Sequence, residues 1–302
     1  VLVFASSDKG GTGRSVTSCN IAFHLAQRSH VAYLDFDFGS PTSGAVFEIP
    51  RAERGVEHDG LHSYFTDGIS EPRGIDVWHH TSRADLRGAN ARSGRLVLFP
   101  GDRGGAEFAT SDEIEQRCVE LFTRLDSEFD VCVVDLSAGR SHALTMALIA
   151  TAHPALRAIT ARWLVFHRWT RQHIVAANGL VYGDRGLLSV GRSAGHDPEA
   201  LLDATRFVRV AVPNLKEYNP GQTAAQATWL HACDEELRKL AVDNKLGRSR
   251  ILGTTPVEPV LQWREQLIAE SDVSARIANP GTVEAFRDLA TRLTDDAVWE
   301  GM

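Results

Sequence analysis

Apolar runs of strand length alternate with stretches of helical period along this chain. Residues 1–5, Val1-Leu2-Val3-Phe4-Ala5, form an unbroken apolar run. The next periodic stretch is a helix over 16–28. There Cys19, Ala22, Phe23 and Ala26 recur at i, i+3, i+4 and i+7 and mark one buried face. Residues 31–34 predict a second strand that runs into Asp35, and residues 96–99 a short one stopped by Pro100-Gly101. A helix follows over 112–125. The run Val131-Cys132-Val133-Val134 is continuously apolar, as in a strand covered on both faces, and ends at Asp135. Beyond it the pattern predicts strands over 163–166, 207–212 and 250–253, and helices near 143–151, 170–180, 222–241 and 282–293.

Strands separated by helices fold into an α/β layer structure, a mostly parallel sheet with helices on both faces. Such sheets bind ligands beyond the carboxyl ends of their strands. The alternation predicts one domain over 1–302 with two inserts. The first, near 51–95, is polar and glycine-rich, with a short helix around 61–65; the second, 183–197, reads as a loop. There is no internal repeat and no low-complexity segment.

With 43% apolar residues the chain can build a substantial core, and a net charge of −7 argues against a general polyanion binder. Only four of the 32 basic residues are lysines, so Lys9 stands out from the background and Arg14 does not. The four cysteines, Cys19, Cys118, Cys132 and Cys233, are widely spaced and fall in helical or strand-like runs. They read as buried, reduced thiols of a cytoplasmic protein, not as zinc ligands or a disulfide framework. The twelve histidines include no metal-binding spacing on a helix. No apolar run is long enough to span a membrane. The chain opens on Val1 and not on Met, which leaves room for a trimmed start or a preceding targeting segment.

The first strand is followed by Lys9-Gly10-Gly11-Thr12-Gly13-Arg14-Ser15 and then by a helix. A glycine-rich turn between a buried strand and a helix N-terminus presents backbone N–H groups and the positive end of the helix dipole to an anion. The general phosphate-loop pattern asks for glycine, four residues, then Gly-Lys-Ser/Thr. Here Asp8 stands at the first glycine and Arg14 at the lysine, while Ser15 keeps the hydroxyl.

These residues resemble the deviant loop of the MinD/ParA family of P-loop ATPases, in which a lysine precedes paired glycines. Tyr33-Leu34-Asp35-Phe36-Asp37-Phe38-Gly39 is similar to the family's switch I. Phe129-Asp130-Val131-Cys132-Val133-Val134-Asp135-Leu136-Ser137-Ala138-Gly139 is similar to its Walker B strand and switch II. Ile251-Leu252-Gly253-Thr254-Thr255-Pro256 resembles its last strand and base loop, and Tyr218-Asn219-Pro220-Gly221 a segment of the MinD branch. The likeness is strong over the first 140 residues and loose over 157–250.

The resemblance implies a P-loop NTPase-like fold that binds ATP or ADP with Mg2+. The amides of Gly10, Gly11, Thr12, Gly13, Ser15 and Val16, with the side chain of Arg14, would hold the phosphates. Ser15 would bind Mg2+, with Asp135 and Asp35 around it partly through water. Asp37 would orient the attacking water. Lys9 would reach across an ATP-dependent homodimer, and Asn214 and Pro256 would touch the base. Arginine at position 14 is forked where lysine is a point charge; it binds phosphate well but places charge differently. Binding is therefore better supported than hydrolysis, which depends on accurate placement of charge against the transferring phosphoryl group. A weak ATPase acting as a nucleotide-dependent dimerisation switch on an unidentified partner protein is the leading expectation. A non-hydrolysing nucleotide scaffold and a DNA-coating ATPase of the ParA type are the alternatives.

Two basic stretches bear on the DNA alternative. Arg162, Trp163, His167, Arg168, Trp169, Arg171 and His173 mix basic and aromatic groups, as nucleic-acid surfaces do. A buried strand with charged ends followed by a helix explains them better in an acidic chain. The run 238–250 reads as a solvated helix end. Residues 282–302 carry Asp288, Asp295, Asp296 and Glu300 against Arg287 and Arg292, the wrong balance for a basic membrane-surface helix.

Overall fold

A computed structural model describes residues 1–87, 94–215 and 223–300. Eight strands form one sheet: β1 (Leu2–Ser6), β2 (Val31–Phe36), β3 (Ile75–Asp76), β4 (Leu96–Phe99), β5 (Val131–Leu136), β6 (Ala161–Arg168), β7 (Thr205–Val212) and β8 (Ile251–Pro256). Their order is β3-β4-β2-β5-β1-β6-β7-β8, and every pairing is parallel except the edge pair β3–β4. The expected α/β architecture is therefore present.

The sheet separates two apolar layers, and the alternation of side chains along each strand fills both. From β1, Leu2 and Phe4 enter one layer with Leu34, Phe36, Phe122 and Trp163. Val3 and Ala5 enter the other with Tyr33, Val133, Leu164 and Leu289. All residues of β1, β2 and β5 are buried, which is why these strands read as continuous apolar runs. Phe4 stacks on Trp163 at a ring separation of 4.3 Å and meets Phe122 edge-on at 5.6 Å.

The helix after β1 spans Arg14–Leu25, so Arg14 lies in its first turn and the expected extension to residue 28 is not helical. The insert near 51–95 contains the helix Leu61–Thr66, the short edge strand β3 and the helical turn Val77–His80. The segment 183–197, expected to be a loop, contains the helix Leu187–Ala194. Three glycines hid it. Gly186 and Gly195 bound the helix, and Gly195 takes the left-handed conformation at φ 106°. Gly191 lies inside, where a Cβ would come 2.3 Å from Leu201 Cδ2, so glycine permits a close helix approach. β8 runs to Pro256, three residues further than the apolar pattern indicates.

The helix Pro280–Thr294 buries Val283, Phe286, Leu289, Ala290 and Leu293, so its apolar stripe faces the body of the protein. No helix among the described residues is long and apolar enough to cross a membrane. The segment Tyr218-Asn219-Pro220-Gly221 lies outside the described residues.

Candidate nucleotide site

Because β1, β2 and β5 are parallel neighbours, their carboxyl ends open on the same edge of the sheet. The loop after β1 reaches Gly13, which caps the following helix at φ 80°; Gly11 has φ 69°. Side chains other than glycine rarely take this left-handed backbone. A Cβ on Gly13 would also stand 3.0 Å from Val210 Cγ1. The loop is tied down from outside: Gly139 N donates to the Ser7 carbonyl at 2.7 Å, and Ser7 Oγ to the Lys9 carbonyl at 3.1 Å. Asp8, at the place of the missing first glycine, accepts from Arg140 Nη1 at 2.9 Å. Arg140 also donates to the Gly179 carbonyl at 2.8 Å, anchoring the front of the loop to the helix Arg171–Tyr182. Lys9, Gly10 and Gly11 are exposed, and Thr12, Arg14 and Val16 are buried.

Arg14 turns inward. Its Nε donates to Asp135 Oδ1 at 2.5 Å and its Nη2 to Asp37 Oδ2 at 2.9 Å. Longer bonds reach Ser15 Oγ at 3.3 Å and Ser7 Oγ at 3.4 Å. Burial opposes the charge on Arg14, but Asp135 and Asp37 outweigh it and hold the guanidinium above its ordinary pKa. Burial raises the Asp37 pKa; Arg14 works against that shift and Asp135 adds to it.

Asp35 faces Asp135 across the β2–β5 pairing but lies outside the arginine fork. Its Oδ2 accepts from Ser43 N at 3.1 Å and Ser43 Oγ at 2.5 Å, and its Oδ1 from Asp37 N at 3.3 Å. Burial, reinforced by the neighbouring Asp135, pushes its pKa up to about 7 although the Ser43 bonds pull the other way. Ser43 carries no motif of its own and was not among the expected site residues.

Two cavities flank the loop. One, of about 190 Å³, is lined by Ser7, Gly10 through Val16, Asp37, Ser40, Thr42, Ala138 and Glu265. The other, of about 230 Å³, lies between the loop and the far strands, with Thr17, Arg168, Val210, Ala211, Thr255, Pro256, Glu258, Leu261, Gln262, Thr282 and Phe286 in its wall. Gly11, Thr12, Gly13, Val16 and Glu265 belong to both. The second cavity opens where the β7–β8 register shifts and Ala211 takes a left-handed φ of 55°. Pro256 lines it as expected. Asn214 is exposed, two residues beyond β7, and lines neither cavity. Glu258, Glu265, Thr282 and Phe286 follow β8 in the chain and belong to no recognisable motif.

Mg2+ takes near-octahedral oxygen ligands at about 2.0–2.1 Å. Ser15, Asp37 and Asp135 each accept from the Arg14 guanidinium, and both Asp35 oxygens accept from N–H or O–H groups. In this arrangement the expected donor set of Ser15, Asp35 and Asp135 does not fit a dication: Arg14 holds Ser15 and Asp135, and Ser43 with the Asp37 amide holds Asp35.

The basic and aromatic stretch after residue 160 is partly interior, with Arg171 exposed and Arg168 and His173 half-buried. Trp163, His167 and Trp169 are buried. Arg162, also buried, donates to the Leu293 carbonyl and Asp296 and lies over the Trp299 ring. Arg238, in the second basic run, pairs with Asp234 one helical turn away at 2.6 Å.

A glycine-rich loop between the central strand and a helix, with acidic residues at two adjacent strand ends, defines a P-loop NTPase-like architecture. No family model and no curated protein matches the sequence. Solved structures do match. A plasmid partition protein of Borrelia burgdorferi B31 bound to AMPPNP has a TM-score of 0.60 at 12% identity, over 97% of both chains. The MinC:MinD cell division complex of Aquifex aeolicus matches at 0.58 and 15%, over 97% of this chain and 95% of that one. The septum site-determining protein MinD of Pyrococcus horikoshii OT3, complexed with Mg-ADP, matches at 0.55 and 14%, over 98% and 96%. The chain has the fold of the MinD and ParA ATPases; at these identities the likeness is one of fold.

Proposed function

We propose that this protein binds ATP and ADP and acts in the cytoplasm as a nucleotide-dependent dimerisation switch for a partner protein, hydrolysing ATP slowly. The observation that carries the reading is the confluence of the two cavities around Gly11, Thr12, Gly13 and Val16. The loop amides and the helix N-terminus suit phosphates, and the wall of Val210, Pro256, Leu261 and Phe286 suits a base. The solved relatives in fold that carry AMPPNP, Mg-ADP or a MinC partner support the same ligand and partner classes. Lys9 is exposed at the front of the loop, which supports a contact with a second subunit. Sedimentation with ATP tests this: the chain dimerises and Lys9→Ala does not. Equal dimerisation of both proteins removes Lys9 from the interface.

A second reading, a nucleotide-holding scaffold without turnover, is favoured by the Arg14–Asp37 ion pair. Asp37 is the residue expected to orient water, and here it is bonded to an arginine. Phosphate release from ATP separates the readings. A rate lowered in Asp37→Ala supports the slow ATPase, identical rates remove Asp37 from any catalytic role, and no release from either protein supports the scaffold.

A further inference from the structure

Lysine at the head of a phosphate-loop helix offers one point of charge; arginine offers five N–H donors in a plane. Arg14 uses its fork within the protein. Nε goes to Asp135 at the end of β5 and Nη2 to Asp37 just past β2, so one guanidinium joins two strand ends that a single ammonium would reach less completely. Nη2 also contacts Ser15, and Nη1 contacts Ser7, at the edge of the loop. Its four partners therefore include Ser15 Oγ and Asp135 Oδ1, two oxygens expected around a metal bound beside the phosphates, and Asp37 Oδ2, the carboxylate expected to orient the attacking water.

We propose that Arg14 is the resident cation of this pocket. Its guanidinium holds the place of the divalent ion, and nucleotide phosphates bind here with no requirement for Mg2+. The proposal rests on the nucleotide reading above.

Two acidic groups and one arginine leave the cluster with net negative charge, which by itself would welcome a dication. Against that, Mg2+ sheds water reluctantly. To enter, it must also evict a buried guanidinium from two carboxylates and leave it without a partner. Arg14 also lines the smaller cavity. Its fifth N–H and its two long serine contacts are weakly committed and available to a phosphate oxygen.

The test uses the full chain, calorimetry with ADP in excess EDTA or in about 5 mM MgCl2, and electron paramagnetic resonance of Mn2+ as a direct metal readout. The expected result is an ADP affinity that differs by less than about threefold between the two conditions, with no Mn2+ retained by the ADP complex. Arg14→Lys, which reaches the two carboxylates less completely, should gain about tenfold or more in ADP affinity from Mg2+ and should take up Mn2+. A wild-type affinity that rises tenfold with Mg2+, or stoichiometric Mn2+ on the wild-type ADP complex, overturns the proposal without any variant. If neither protein binds ADP in either condition, the nucleotide reading fails. Mn2+ then judges the cation alone: uptake by Arg14→Lys but not by wild type supports it, and equal uptake overturns it.

Discussion

Arg14 Nε and Asp135 Oδ1 stand 2.5 Å apart, joining the first turn of a helix to the end of a strand 121 residues further along the chain. Both side chains are almost fully buried, at 6% and 2% exposure. Removing one member of such a pair strands the other charge. Arg14→Gln should therefore lower stability by about 3–5 kcal/mol in urea unfolding. Adding Asp135→Asn should return part of the loss. Additive losses in the double variant would mean that the two groups do not act as a pair.

Asp35 gives the fold a pH dependence of definite sign. Its folded-state pKa of about 7 lies above its ordinary 3.8, so the folded protein holds the proton more tightly than the unfolded chain does. Stability from this group is present at low pH and is lost as pH rises from about 4 through 7. The full effect is on the order of a few kcal/mol. Asp35→Asn cannot ionise and should flatten that part of the curve. Denaturant unfolding at pH 5 and pH 8 measures it, and parallel curves for the two proteins would refute the assignment.

Gly44 lies next to the residue that bonds Asp35. A Cβ at Gly44 would fall 1.9 Å from the Ala52 carbonyl oxygen, a backbone atom that cannot rotate away. Gly44→Ala should destabilise by about 1–3 kcal/mol. Thermal melting reads this as a drop of several degrees. An unchanged melting temperature would show that the 43–52 backbone yields freely.

Glu265 belongs to the walls of both cavities. A carboxylate beside bound phosphates repels them, although solvent screens an exposed group. Glu265→Gln should tighten ADP binding roughly threefold to tenfold at low salt, with a smaller gain at high salt. Calorimetry at two salt concentrations decides. Weaker binding in the variant would make Glu265 a ligand contact instead.

Much of this site is legible in the sequence, and the reasons are local. The strands β1, β2 and β5 read as apolar runs because both of their faces are covered. The loop glycines are recognisable because Gly11 and Gly13 need left-handed backbone. Arg14 is visible as a departure from the pattern, but not its destination. Nothing in the spacing of residues 14, 37 and 135 says that one guanidinium bridges two carboxylates; the strand order creates that meeting. Ser43 and the wall formed by Glu258, Glu265 and Phe286 were illegible for the same reason, since they arrive by tertiary packing. The helix Leu187–Ala194 was hidden by its glycines: Gly186 and Gly195 cap it, and Gly191 inside it serves close packing.

The first strand has no neighbours of its own neighbourhood. Leu2 registers with Cys132 on one side and Ala161 on the other. At about 5–20 residues per second, a ribosome needs roughly 8 to 30 s to go from one end of that pairing to the other. During that interval β1 and the loop it carries stay unsheltered, with apolar side chains and strand edges open to other chains. The strand that carries the candidate loop is thus made well before either of the neighbours that house it.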